Sequence, residues 1–365
     1  MNQNNFCALP WVSIHTWANG NMFPCCKSDP MISFGKLDTS KSYKDNINNK
    51  SFINLRQEFL ENRQPKSCWK CFEEESKGIR SMRIDQNNYY KEYLESDYFK
   101  NNYIQKPKIF YLDMRSSNKC NLCCVMCSPE FSHKIYDIYR NLDMYTDNIQ
   151  FKSFSYYEQL QPYVNEIKTF YLAGGEPFLD ENILNILDML DENSEIKTII
   201  FTTNCTIDLN KSKLFDILKK IEKHNVNLRI SLDGNKEYNE KIRLGSDYDQ
   251  IIKNILFLKE NFPNFDLVIN PTIGTLNVEH FNLFYNELLY LNLKWDLNFI
   301  QFPDYFNIIN LPQDLKDSII NKFKNQNPIL DQIVYFLQSN GNPLKYNEGL
   351  EFYNKFYKEY VEIYK

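Results

Sequence analysis

The chain has 365 residues, with 43% hydrophobic and 24% charged residues and a formal charge of −5, which suggests a globular protein of about two domains. Lysine and arginine are scattered, so no nucleic-acid footprint is expected, and no apolar stretch is long enough to span a membrane. The start, MNQNNFCALPW, has no charged segment followed by an apolar run, so no signal peptide is expected; ten cysteines then point to metal or redox chemistry in the cytoplasm rather than to disulfides.

Residues 1–105 show no repeat and hold five of the cysteines. A helix is predicted at Tyr89–Tyr103, leading into a repeating region. From about Lys106, β-rich runs alternate with helical patterns at intervals of about thirty residues. The runs are Ile109–Leu112, Ile167–Leu172, Ile196–Thr202, Val226–Leu232, Leu267–Ile269 and Leu297–Phe302. Between them, Ile183, Ile186, Leu187 and Leu190 share one helical face, as do Leu214, Ile217, Leu218 and Ile221. Further faces are Ile251, Ile255, Leu258 and Phe281, Phe284, Leu288. Strand–helix alternation implies right-handed crossovers and a parallel sheet. The expected fold is therefore α/β, a partial (β/α)6 barrel over 106–305. A small cysteine-rich domain over 1–105 precedes it, and a helical extension over 306–365, rich in Tyr, Phe and Lys, comes after it.

Chemistry concentrates after the first predicted strand, where Cys120, Cys124 and Cys127 have the spacing C-x3-C-x2-C, with Cys123 between them. Thiolates are soft ligands that suit iron–sulfur clusters or zinc. A structural zinc site wants four protein ligands, whereas a cubane cluster on three cysteines keeps one iron open to a small molecule. Buried core thiols are the bland alternative, but the flanking Asn118, Lys119 and Asn121 do not read as a core strand. The second strand ends in Gly174-Gly175-Glu176-Pro177, where glycines allow close backbone approach and the carboxylate can accept from an ammonium. The third ends in Thr202-Thr203-Asn204, which could equally be a helix cap. The fourth ends in Ser231-Leu232-Asp233-Gly234, otherwise an ordinary Asp-Gly turn. Each motif follows a strand's end, where β/α barrels place their active sites.

Together these residues resemble the radical S-adenosylmethionine superfamily. The resemblance implies a 4Fe–4S cluster on Cys120, Cys124 and Cys127, whose open iron binds S-adenosylmethionine, with Cys123 a bystander. It implies that Gly174, Gly175 and Glu176 hold the amino group of S-adenosylmethionine, and that Ser231 and Asp233 meet its ribose. Met126 matches a position placed against adenine, Asn204 a similar Thr-Asn, and Arg243 a segment that often has an arginine near substrate or the cofactor carboxylate. An exposed salt-bridge residue is the other reading of Arg243.

In the N-terminal region, Cys7-x12-Gly20-x4-Cys25 is followed by Cys68-x2-Cys71. This resembles the first part of the SPASM cysteine pattern, shortened as in a twitch domain with one auxiliary 4Fe–4S cluster, here placed before the barrel. Four thiolates could equally form a structural zinc site, and Cys26 could replace Cys25. Trp11, Trp17 and Trp69 are expected to shield the site, and His15 to be a packing or surface residue rather than a ligand. The resemblance thus implies reductive cleavage of S-adenosylmethionine and hydrogen abstraction from a small-molecule or peptide substrate. The auxiliary cluster would relay an electron, and a flavodoxin- or ferredoxin-type protein would donate one. The rival is a non-catalytic iron–sulfur or zinc protein that uses the barrel only to bind.

Overall fold

The computed structural model describes residues 5–76, 78, 80–102, 107–146, 148, 150–153, 155, 166–190 and 196–365. Its main sheet has eight strands: β1 Ser13–Thr16, β2 Met22–Phe23, β3 Tyr111–Met114, β4 Thr169–Leu172, β5 Thr198–Thr203, β6 Asn225–Ile230, β7 Asp266–Ile269 and β8 Lys294–Trp295. They follow the order β8-β7-β6-β5-β4-β3-β1-β2. The ladders β1–β3, β3–β4, β6–β7 and β7–β8 are parallel, and β2 runs antiparallel to β1. Five strands, β3 to β7, are those of the expected α/β core, and β8 stands in place of the sixth; the alternation of helix and strand forces parallel pairing.

Residue contacts divide the chain into two compact units, Met1–Asn118 with Lys152–Ile200, and Lys119–Phe151 with Phe201–Lys365. These units cut across the segments read from the sequence, whose first boundary, at 105, lies outside the described residues. In the first unit, β1 brings the cysteine-rich region into the sheet: Ser13 pairs with Tyr111, Ile14 with Leu112 and His15 with Asp113. All four residues of β1 are buried. With no polar alternation to mark a half-exposed strand, SIHT gives little strand signal in the sequence.

The second unit carries the amphipathic helices that cover its strands. Ser212–Ile221 buries Leu214, Ile217, Leu218 and Ile221, and Tyr248–Asn261 buries Ile251, Ile255 and Leu258. Each such side chain contributes about 1.5–3 kcal/mol by leaving water. The C-terminal extension is helical as expected, with Gln313–Phe323, Pro328–Leu337 and Pro343–Tyr364. Its last helix packs Phe352, Phe356 and Tyr360 into one core with Cys123, Val125, Ile135, Ile138 and Leu244. The extension is thus the backing of the cysteine loop.

Two expected elements differ. The helix expected at 89–103 is two pieces, Lys91–Glu95 and Asp97–Asn102, after the helix Met82–Tyr89, with Tyr103 outside the described residues. Ser96 breaks it: its backbone is extended, and its hydroxyl accepts from the Phe99 N–H. The sixth core strand is Lys294–Trp295 rather than Leu297–Phe302; from the latter stretch, Asn298–Phe299 pairs with Thr272–Ile273 in a separate two-stranded sheet. Pro271, which has no N–H to give, stands between Ile269 and Thr272 where the two ladders part.

Candidate functional site: two cysteine centres

The loop that carries Cys120, Cys124 and Cys127 is braced at nearly every residue. Cys123 and Cys124 pair antiparallel with Leu244 and Arg243. Successive side chains on such a pair point to opposite sides. Cys123 accordingly enters the core of the C-terminal helix, while Cys124 groups with Cys120, Leu122, Met126 and Cys127. The Cys120 N–H donates to His133 Nδ1 at 3.2 Å, Ser132 donates to the Leu122 carbonyl at 2.7 Å, and Tyr139 donates to the Cys127 carbonyl at 2.9 Å. Anchored backbone of this kind fixes where the three sulfurs stand.

Two further residues aim N–H groups at those sulfurs. Asn204 Nδ2 lies 3.9 Å from Cys120 Sγ and also donates to Asn121 Oδ1 at 2.8 Å. Arg243 Nη1 lies 3.9 Å from Cys124 Sγ. Its other nitrogens form a fork on Asp233, with Nε to Oδ2 at 2.8 Å and Nη2 to Oδ1 at 3.0 Å. Asp233 Oδ1 also accepts from the Thr272 N–H at 2.7 Å, and Asp233 is fully buried. Both its carboxylate oxygens are therefore committed inside the protein. The buried carboxylate thereby orients Arg243. Arg243 is likewise a buried, doubly held group rather than an exposed salt-bridge residue. Ser231 is held through its N–H, which donates to the Thr203 carbonyl at 2.8 Å.

Burial, then the neighbouring Cys124, pushes the Cys127 thiol up to about 12, and burial also raises Cys124. Such thiols ionise only when a cation compensates the charge, as metal binding does. Beside them, Met126, Ile242, Thr272, Gly274, Leu276 and Phe306 wall a small, mostly apolar cavity. At Gly274 an added Cβ would stand 2.5 Å from Ile300 Cδ1 and 3.1 Å from the Phe306 carbonyl oxygen, so a larger residue would crowd the wall. Thr272, Gly274 and Asn277 were not singled out from the sequence, where only Gly274 gives a turn signal.

The Gly-Gly-Glu segment belongs to the first unit. Gly174 has φ +124, and an added Cβ would stand 3.0 Å from the Ser117 carbonyl oxygen, so only glycine fits. Gly175 donates to that same oxygen at 3.1 Å. Glu176 is buried and accepts from the Phe178 N–H at 3.2 Å, capping the short 3-10 turn Pro177–Leu179.

The second centre lies wholly in the first unit. Cys7, Cys25, Cys68 and Cys71 line one cavity with Leu9, Lys27, Ser28, Phe59 and Arg83. Gly20, at φ +83, makes the turn that returns the chain from β1 to β2 and delivers Cys25. The turn Lys66–Cys68 and helix Trp69–Ser76 present the other pair. Cys26 is exposed and is not among the cavity walls. Burial raises all these thiols, Cys68 to about 12. None of the three tryptophans lines the cavity, which corrects the expected shielding: Trp11 is fully buried against Phe6, Trp17 packs on Phe23, and Trp69 is about a third exposed. Leu9 and Phe59 supply the apolar wall. His15 is buried, not superficial: its Nδ1 faces Asp113 Oδ2 at 2.8 Å and its Nε2 accepts from Trp17 at 2.9 Å.

The four N-terminal cysteines line one cavity, a donor set that suits a structural zinc ion or an iron–sulfur cubane.

Comparison with known proteins agrees with this geometry. Residues 114–288 match the radical SAM superfamily, and residues 7–72 match an iron-sulfur cluster-binding domain of the SPASM type. Residues 114–288 are thus a radical SAM superfamily domain, with the iron-sulfur cluster-binding domain N-terminal to it. The chain's cofactors are S-adenosylmethionine and 4Fe–4S clusters. A curated relative, GTP 3',8-cyclase of Clostridium perfringens (strain SM101 / Type A), is 30% identical over 207 residues, 53% of this chain and 55% of the relative. The chain thus spans about half the length of that relative. Among solved structures, anSMEcpe with bound AdoMet is 16% identical over 63% of each chain, with a TM-score of 0.43. SuiB of Streptococcus suis bound to precursor peptide SuiA is 15% identical over 72% of this chain and 61% of that one, with a TM-score of 0.38. Among the described residues, no helix is long and apolar enough to cross a membrane.

Proposed function

We propose that this protein is a cytoplasmic enzyme that reductively cleaves S-adenosylmethionine on a cluster held by Cys120, Cys124 and Cys127. Such a cluster supplies the electron that makes a 5′-deoxyadenosyl radical, which takes a hydrogen atom from the substrate. The observation that carries the reading is the loop itself: three braced cysteines, two of them met by the N–H groups of Asn204 and Arg243. Hydrogen bonds to cluster sulfurs are a means by which a protein tunes potential. Met126 stands in an apolar wall of the kind that suits adenine, and Ser231 and Asp233 stand at the strand end that suits ribose. Gly174, Gly175 and Glu176 supply the close backbone approach and the carboxylate that suit the amino group of the cofactor.

The N-terminal cysteines Cys7, Cys25, Cys68 and Cys71 hold the auxiliary cluster. Four thiolates saturate it, so its role is to take an electron from the substrate radical rather than to bind substrate. A flavodoxin- or ferredoxin-type protein serves as the donor to the barrel centre. The substrate is a small molecule or a peptide; the name of the curated relative, a nucleotide cyclase, favours the small molecule. The test is anaerobic reconstitution, followed by dithionite and S-adenosylmethionine. The wild type should form 5′-deoxyadenosine, and the variant with alanine at Cys120, Cys124 and Cys127 should form none. Equal production by that variant would remove the assignment.

A further inference from the structure

The cavity ringed by Cys7, Cys25, Cys68 and Cys71 has two cationic side chains in its wall, Lys27 and Arg83. Each is paired with a carboxylate that is not in the wall. Lys27 Nζ binds Glu74 Oε1 at 2.7 Å, and Arg83 Nε binds Glu75 Oε1 at 2.9 Å while its Nη2 binds Glu75 Oε2. Both ion pairs therefore face the cavity with the cation in front and the anion behind. The Lys27 side chain is 42% exposed and so largely screened by water, whereas Arg83 is 7% exposed.

Arg83 is also tied to the ligand loops. Its Nη1 donates at 2.6 Å to the carbonyl of Phe6, the residue before Cys7. Its guanidinium lies 4.8 Å from the ring of Phe72, the residue after Cys71. A buried guanidinium with one face on a carboxylate and the other on a thiol-ringed cavity is a fixed positive potential at that cavity.

We infer that Arg83, oriented by Glu75, is the counter-charge of the N-terminal cluster and raises its reduction potential. A positive charge favours the more negative, reduced state of a bound cluster, so the Arg83–Glu75 pair makes this centre a better electron acceptor. Arg83 is a positioning and tuning residue, not a ligand. The inference rests on the reading that the four cysteines hold an iron–sulfur cluster.

The test uses the full chain with alanine at Cys120, Cys124 and Cys127, so that only the N-terminal centre contributes iron and a paramagnetic signal. Iron is counted, and the midpoint potential is read by redox titration. Arg83→Gln should shift the potential down. Glu75→Gln should shift it up, because Arg83 loses its compensating charge, and this second variant decides the matter if the first fails to keep its cluster. Opposite shifts support the inference. With iron retained, unmoved potentials or shifts in one direction overturn it and leave Arg83 a purely structural residue. No iron in the parent chain would overturn the cluster reading itself, and the inference with it.

Discussion

Asp233→Asn separates a ligand-contacting carboxylate from one that serves only Arg243. In the folded chain Asp233 accepts two bonds from Arg243 and one from the Thr272 N–H, with no exposed surface. The substitution keeps the size and one acceptor for Thr272 but leaves the buried guanidinium without a counter-charge. Removing one partner from a buried ion pair costs about 3–5 kcal/mol, a large share of the roughly 5–15 kcal/mol that holds a domain folded. The paired change Asp233→Asn with Arg243→Met removes both charges and should regain most of that loss, since the two residues act as one unit. Denaturation of the cluster-free chain in urea, followed by far-ultraviolet circular dichroism, reads both. Asp233→Asn falling within about 1 kcal/mol of wild type would refute the argument. So would a double variant as destabilised as the sum of the singles. Normal stability with weakened S-adenosylmethionine binding would favour the ribose role for Asp233 instead.

Glu176→Gln keeps an oxygen for the Phe178 N–H but loses the charge. Binding of S-adenosylmethionine to the reconstituted protein should weaken by about 1.5–3 kcal/mol, the usual worth of a hydrogen bond to a charged group, with iron content unchanged; normal binding would remove the role given to Glu176. His15 should make stability depend on pH. Burial lowers its pKa below the ordinary value of 6.5, and the Trp17 N–H occupies Nε2, so the folded state holds a neutral imidazole. The unfolded chain then binds the extra proton, and stability should fall as pH drops from about 6.5 toward the folded-state pKa. His15→Gln should flatten that slope in melts taken across the window; an unchanged slope would assign it to other groups.

Much of this was legible in the sequence because it is local. Thiol spacing, the two glycines before Glu176 and the helical periodicities each depend on residues within a few positions of one another. What escaped depends on burial or on distant returns of the chain. Arg83 lies twelve residues beyond Cys71, outside the cysteine spacing, and reaches the cavity only because the helix Met82–Tyr89 folds back on it. That Asp233 also holds the Arg243 guanidinium and the Thr272 N–H is a return of the chain that a sequence does not show. The last core strand slipped three residues because Leu297–Phe302 is the more apolar run, while Lys294–Trp295 is set by its ladder with β7.

The ladder between β1 and β3 has a consequence for how this protein can be taken apart. A cluster-binding segment joined by a linker could be cut away and leave the rest folded. Here the cut would strip β3 of the neighbour that satisfies its backbone groups, creating a raw sheet edge over Tyr111–Met114, the kind of surface that recruits other chains into aggregates. The same cut would strand Asp113 without His15. The N-terminal region is therefore not a detachable cassette: shortened versions should be designed to retain Ser13–Thr16, and grafting this region onto another barrel would require a first strand able to accept a parallel partner.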